Sequence, residues 1–141
     1  MKILLAVDGS SYTKKMLVYL VQHRDMFVAP NQSHTLLTVL PPLPVRVRNA
    51  LSKEQLLQYQ AEETDKVLEP VLTWLARHDI RPQVLSRVGD PGSTIAAVAR
   101  EEKFGLVIMG SHGQGALGNL LMGSVATRVL AECEVPVSLV R

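Results

Sequence analysis

The stretch from Gly110 to Ser124 concentrates residues that can bind an anion. Five of the nine glycines of the chain lie in it, at positions 110, 113, 115, 118 and 123. An apolar run precedes it (106–109) and an amphipathic run follows it (125–130), so the pattern predicts a strand, a loop and a helix. Glycine lets a ligand approach the backbone, and a helix start offers free N–H groups and a positive dipole end. The stretch therefore predicts a phosphate site.

This glycine-rich stretch differs from two common phosphate loops. No lysine follows it as in Gly-x4-Gly-Lys-Ser/Thr, and it lacks the Gly-x-Gly-x-x-Gly order and early position of a dinucleotide loop. His112 and Arg128 are the titratable residues nearest to it in the sequence. Backbone N–H dipoles and a metal ion, for which we expect Mg²⁺, would therefore have to balance much of the phosphate charge.

Asp8 is the second residue that could do chemistry, because it directly follows the apolar run Ile3 to Val7. Its carboxylate could cap the next helix or hold a turn, or it could lie near a ribose, a base or a phosphate-bound metal. His112 is either a solvated loop residue or a donor to phosphate. A catalytic role would need a positioned water and a second acid or base, and no such pair or Ser-His-Asp arrangement can be identified, so we expect no catalytic residue.

The elements that must position these residues alternate along the chain. Apolar runs bounded by turn residues predict five strands, at Lys2–Val7, Thr35–Leu40, Gln83–Val88, Leu106–Met109 and Val135–Val140. Helical spacing of apolar residues lies between the strands, and Leu43–Ala50 is predicted as an exposed connection. Strands that alternate with helices favour an α/β fold, an open five-stranded parallel sheet with helices on both faces.

Three sequence features locate the predicted helices. Ser52 and Gln55 have the spacing of a capping box at the start of a long helix. Pro70 lies inside that helix and is expected to kink it. Asp90 followed by Pro91 predicts an N-cap and a first helical residue.

Composition limits the class of protein. The length of 141 residues predicts one domain over 1–141. The net charge is +2, the basic residues are scattered and 4% of the residues are aromatic, so the composition does not favour a nucleic-acid partner. No apolar run approaches the roughly 20 residues of a membrane span. With a single cysteine, Cys133, the sequence predicts a cytoplasmic protein.

Two motifs together resemble a known family. Gly110-x2-Gly113-x9-Gly123-Ser124 resembles the nucleotide-binding signature of the universal stress protein family, ATP-binding subgroup, and the opening 6–10 (Ala-Val-Asp-Gly-Ser) resembles its first strand and turn. The resemblance covers the whole chain. It implies the strand order 3-2-1-4-5, as in adenine nucleotide alpha hydrolase-like folds. Asp8 and Gly110 would then meet at the switch point between strands 1 and 4, where ligands of open α/β sheets bind.

The resemblance also implies roles for individual residues. Ala6, Val39 and Met109 would line an adenine pocket, although these residue types are equally typical of plain core. Gly113 and Gly123 would let the backbone approach the phosphates, and Ser124 and Val125 would donate to them. The expected nucleotide-binding residues are Ala6, Asp8, Val39, Met109, Gly110, His112, Gly113, Gly115, Gly123, Ser124 and Val125, with Asp8 as a possible Mg²⁺ ligand.

The implied function is a dimeric sensor or regulator of the stress response that binds ATP with Mg²⁺. ATP would order the loop from Gly113 to Met122, and an unidentified regulatory protein would detect that change. The apolar C-terminal strand 135–140, if it lies at the sheet edge, predicts a homodimer. Two alternatives remain, a slow ATP-hydrolysing enzyme and a nucleotide-free homodimerisation module.

Overall fold

A computed structural model describes residues 1–115 and 121–141 of the chain. In chain order its elements are β1 (Lys2–Ala6), α1 (Ser11–Gln22), α2 (Arg24–Phe27), β2 (Ser33–Leu40), α3 (Val45–Asn49), α4 (Lys53–Arg77), β3 (Gln83–Val88), α5 (Pro91–Glu101), β4 (Leu106–Gly110), α6 (Ser124–Glu132) and β5 (Val137–Val140).

The described strands form one parallel sheet in the order β3-β2-β1-β4-β5. This confirms the predicted fold class and strand order. In the register of the central pair, Ala6 lies beside Met109. Asp8, two residues beyond β1, and Gly110, the last residue of β4, therefore lie at the same edge of the sheet.

Alternation along the central strand β1 divides the core between the two faces of the sheet. Ile3 and Leu5 point into a cluster closed by α1 and α4, whereas Leu4 and Ala6 point into a cluster closed by α5 and α6. Ile3, Leu4 and Leu5 have no exposed surface, as expected of a strand covered on both sides. Helices therefore cover both faces, as predicted.

Side-chain caps fix the starts of three helices. The Ser10 hydroxyl accepts from Thr13 N at the start of α1, and Ser52 with Gln55 forms the predicted capping box of α4. Asp90 caps α5 by accepting from Ser93 N at 3.0 Å, and this hydrogen bond lowers the pKa of the Asp90 carboxyl. The helix α4 continues through Pro70 to Arg77.

Several boundaries differ from the sequence prediction. The segment predicted as a connection, Leu43–Ala50, contains the short exposed helix α3. The last strand begins at Val137 rather than Val135, because Pro136 has no N–H to donate, although its carbonyl accepts from Val107 N. The strand β5 lies at an edge of the sheet and is half-buried throughout.

Candidate functional site

A cavity of about 720 Å³ opens at the carboxyl ends of β1, β2 and β4. Its wall includes α4, the start of α5, the glycine-rich loop and the start of α6. The cavity is lined by every residue that the sequence predicted for nucleotide binding, namely Ala6, Asp8, Val39, Met109, Gly110, His112, Gly113, Gly115, Gly123, Ser124 and Val125. Gly118 and the middle of the predicted 113–122 loop lie outside the described residues.

Asp8 connects three segments at the floor of this cavity. One carboxylate oxygen, Oδ1, accepts from Ser10 N at 2.9 Å and from the Thr13 hydroxyl at 3.0 Å. The other, Oδ2, accepts from Gln114 N at 3.2 Å, and the Gln114 side chain donates back to the Asp8 carbonyl at 3.1 Å. The half-buried Asp8 thus holds the glycine-rich loop against the start of α1, while Ser10 caps that helix.

Three glycines of the glycine-rich stretch leave too little room for a side chain unless a neighbour shifts. A Cβ atom at Gly113 would lie 2.6 Å from Asp8 Oδ2, and one at Gly110 would lie 2.7 Å from Tyr12 Cβ. A Cβ atom at Gly123 would lie 3.0 Å from the Cα of His112. Since this last neighbour is backbone, a larger residue at 123 would displace the loop itself, whether or not a ligand is present.

The start of α6 is built differently from those of α1, α4 and α5. Its N-cap is Gly123, which makes no side-chain hydrogen bond in the described part of the chain. Ser124 and Val125, the first two residues of α6, line the cavity. A helix start of this kind offers donors and a positive dipole end to an anion.

His112 is buried, with 8% of its surface exposed, so its interpretation as a solvated loop residue is wrong. Its ring lies 4.7 Å from the ring of Tyr12, and its Nδ1 lies 2.7 Å from the Ser111 hydroxyl. Ser111 is also buried, and sequence reasoning missed it although it directly precedes His112. The hydrogen bond fixes the ring at the cavity wall.

Part of the cavity lining is apolar. Ala6 and Met109 belong to the core cluster beneath α5 and α6, and Val39 packs against it. Ala6 and Met109 are therefore core residues that also line the cavity, Val39 lines it from beside the core, and their contact with adenine stays a prediction. A flat apolar base such as adenine fits this surface chemically.

Sequence reasoning missed the contribution of α4 to the cavity wall. Glu63, Thr64, Lys66 and Val67 line it, although about fifty positions separate them from either motif. Lys66 Nζ donates to Glu63 Oε1 at 2.8 Å, and this hydrogen bond, with the negative charge of Glu63, raises the pKa of Lys66. These residues could be found only by knowing which face of α4 packs at the cavity, and residue spacing does not specify that face.

Charged groups elsewhere near the motif face other partners. Arg128, close to the loop in sequence, lies 3.7 Å from Asp90 and 3.8 Å from Glu132. Within residues 1–115 and 121–141, no three His, Cys, Asp or Glu side chains are grouped so that they could hold a metal ion. In the same residues no helix is both long and apolar enough to cross a membrane.

Comparison with known proteins points to one family. Residues 1–141 match the family model described as Universal stress protein family. A Thermus aquaticus protein, named universal stress protein in QAH/OAS sulfhydrylase 3′ region, is 34% identical over 145 residues, covering 99% of this chain and 97% of its own.

Solved structures share the fold. The structure of MJ0577, from Methanocaldococcus jannaschii, has a TM-score of 0.81 and 26% identity, covering 99% of this chain and 94% of its own. A universal stress protein family member from Arabidopsis thaliana, solved with AMP bound, has a TM-score of 0.68 and 16% identity, covering 99% and 90%. At 16% identity this similarity shows a shared fold.

We predict that Asp8→Ala destabilises the protein and frees the start of the loop. It removes the acceptor of three hydrogen bonds, so the free energy of unfolding should fall by about 1–3 kcal/mol, and the Gln114 amide should exchange faster. Asp8→Asn should have a smaller effect, because its amide oxygen can still accept from Ser10 N and the Thr13 hydroxyl and only the hydrogen bond from Gln114 N is lost. Urea unfolding and amide hydrogen exchange measure the two effects.

Asp65→Ala, at an exposed position of α4, is the matched control and should change stability by less than about 0.5 kcal/mol. Equal stability of the Asp8 and Asp65 variants, with unchanged exchange at Gln114, would show that Asp8 does not hold the loop.

Proposed function

The chain belongs to the universal stress protein family, and we propose that it binds ATP with Mg²⁺ in the cavity at the ends of β1 and β4. The observation that carries this proposal is the juxtaposition in one cavity of a close-packed glycine loop, a start of α6 that no side chain caps in the described residues, and a group of apolar lining residues. A nucleotide would use all three. Its anionic phosphates would lie against the loop and the start of α6, and the flat faces of its base would lie against the apolar residues.

Each predicted residue has a role in this arrangement. Ala6, Val39 and Met109 contact the adenine. The phosphates lie along the backbone of the loop, over Gly110, Gly113, Gly115 and Gly123. Ser124 and Val125 donate to the phosphates from α6, and His112 donates from the wall of the cavity.

Related structures support the choice of an adenine nucleotide. The Arabidopsis protein was solved with AMP, another universal stress protein with cAMP, and one from Archaeoglobus fulgidus with dAMP. Adenine and at least one phosphate are common to these ligands. The triphosphate in this chain is our proposal, favoured by a cavity of about 720 Å³, which falls within the usual range for small-molecule sites.

The described residues fit Mg²⁺ only as a partner of the nucleotide. Phosphate oxygens would supply most of its ligands, as is usual for this ion. The Asp8 carboxylate fits as a protein ligand because Oδ2 accepts one hydrogen bond in the described residues and keeps a second lone pair. The ion would neutralise part of the phosphate charge.

We further infer that the protein is a cytoplasmic sensor or regulator in the stress response. Asp8 ties the start of the loop to the sheet, so a ligand that contacts the loop also changes how tightly the loop is held. A regulatory protein could then distinguish the ATP-bound form from the free form through the loop.

The first prediction concerns binding at the start of α6. Ser124→Asp places a carboxylate where the phosphates are proposed to lie, yet an acidic residue stabilises a first helical turn, so the fold should persist while the affinity for Mg-ATP falls at least about tenfold. Isothermal titration calorimetry measures the affinity, and released inorganic phosphate reports any slow hydrolysis. Ser11→Asp, the same change at the first residue of α1 and outside the cavity lining, should bind like wild type.

Two results would contradict the site. If both aspartate variants bind like wild type, the phosphates lie elsewhere. If the wild type binds no nucleotide and carries none through purification, the nucleotide-free dimerisation module becomes the better interpretation.

The sensor function predicts a local change in hydrogen exchange. Mg-ATP should slow amide exchange at Gly115 and in the first turn of α6, because bound phosphates accept from the N–H groups there, and at Gln114, because a ligand that orders the loop protects its hydrogen bond to Asp8. Exchange at Met16, in the buried face of α1, should stay the same. Binding without slower exchange in the loop would argue against a signal carried by the loop.

We also propose that the protein forms a homodimer through β5. This strand pairs with β4 on one side, and in the described residues no strand covers its other side. The Pro136 carbonyl accepts from Val107 N in β4 and the Val140 carbonyl from Ser111 N just after β4, so by alternation the backbone groups of Val137 and Leu139 point outward. A second copy of β5 would satisfy them and cover the half-buried apolar side chains.

Val137→Lys should therefore produce a monomer, because the charge is placed in the proposed interface. Val84→Lys makes the same change on β3, at the other edge of the sheet, and should leave the dimer intact. Analytical ultracentrifugation at micromolar concentration, with circular dichroism to verify folding, distinguishes them. A wild-type monomer, or dissociation by Val84→Lys alone, would overturn the proposal.

A further inference from the structure

One stretch of α4, residues 63–67, lies at the cavity next to the proposed phosphate end. A Cβ atom at Gly9 would lie 3.6 Å from Val67 Cγ2 and 3.8 Å from the Gln114 side-chain nitrogen. The helix therefore meets the turn after β1 and the first part of the glycine-rich loop at the same point. Lys66 precedes Val67, and Glu63 lies one turn before it.

Lys66 is the single Lys or Arg among the described residues that line the cavity. Its ammonium group is bound to Glu63 at 2.8 Å, and the two side chains are 70% and 33% exposed. An ammonium this exposed can leave one partner for another at little cost, since surface ion pairs are weak. Glu63, more buried than Lys66, keeps the ammonium near the cavity in the absence of ligand.

We propose that Lys66 is the residue that makes this site favour nucleoside triphosphates over monophosphates, and that Glu63 limits this preference. The proposal rests on the proposed nucleotide site and adds to it a residue that determines specificity. The start of α6 and the loop backbone supply fixed N–H donors for the phosphates that lie along them. The phosphates beyond extend toward α4, where Lys66 moves from Glu63 to a phosphate oxygen.

The backbone N–H groups and the Lys66 ammonium are given different phosphates because they act over different distances. Neutral N–H dipoles act over the first turn of a helix and cannot follow a chain of phosphates. A lysine is a compact charge on a flexible stem that can reach successive phosphate oxygens. Solvent and salt screen a largely exposed lysine, so its effect should be modest and should weaken as ionic strength rises.

The experiment is a calorimetric titration of the full chain with AMP, ADP and ATP, each with Mg²⁺, at low and at high salt. Lys66→Gln should weaken ATP binding about three- to tenfold while changing AMP binding less than about twofold. Lys66→Arg should restore the preference, and Glu63→Gln should strengthen ATP binding. Lys53→Gln, the same charge change at the start of α4 and outside the cavity lining, should leave the affinities unchanged.

The outcomes separate this proposal from the one on which it rests. A wild type that binds neither AMP nor ATP overturns the nucleotide site itself. If the wild type binds AMP and ATP, and Lys66→Gln either lowers both affinities equally or changes neither, the assignment of Lys66 is wrong while the nucleotide site stands. If Lys53→Gln abolishes the preference for ATP as much as Lys66→Gln does, the preference depends on overall charge and not on Lys66. Unfolding temperatures of the variants verify that each one is folded.

Discussion

The hydrogen bonds of Asp8 are the contacts on which the arrangement of the cavity depends. The carboxylate accepts from the turn after β1, from α1 and from the glycine-rich loop, three segments whose sequence positions span about a hundred residues. They can meet because β1 and β4 are neighbours in a parallel sheet, so both chains emerge at the same edge. The sheet brings the segments together, and Asp8 fixes their relative position.

The glycines follow from this close packing. Gly113 has to lie against the Asp8 carboxylate, Gly110 against Tyr12, and Gly123 against the backbone of His112. In each case any side chain would enter space that another group occupies. The same glycines leave room for a ligand to approach the backbone of the loop, so one constraint both packs the loop and suits it to a proposed anion site.

The sequence predicted those parts of the fold and of the candidate site that depend on local pattern. The apolar runs, the capping box at Ser52 and the N-cap at Asp90 are local, and the strand order followed from a whole-chain resemblance. The burial of His112 and its contact with Ser111 depend on how the loop packs against α1, which spacing does not encode. The same holds for Lys66, whose place at the cavity is set by the rotation of α4 on the sheet.

The charges of the cavity bear on what kind of site it is. Asp8 and Glu63 oppose Lys66, so in the described residues the lining holds no excess of positive charge to attract phosphate. At the proposed site, affinity for phosphate then depends largely on backbone donors, with Mg²⁺ and Lys66 adding to them, and the backbone donors are effective only when the loop holds them in place. Because Asp8 holds that loop, loop order and ligand affinity are linked, and each must change the other. At the proposed nucleotide site, this linkage is the physical basis on which a bound ligand would change the order of the loop.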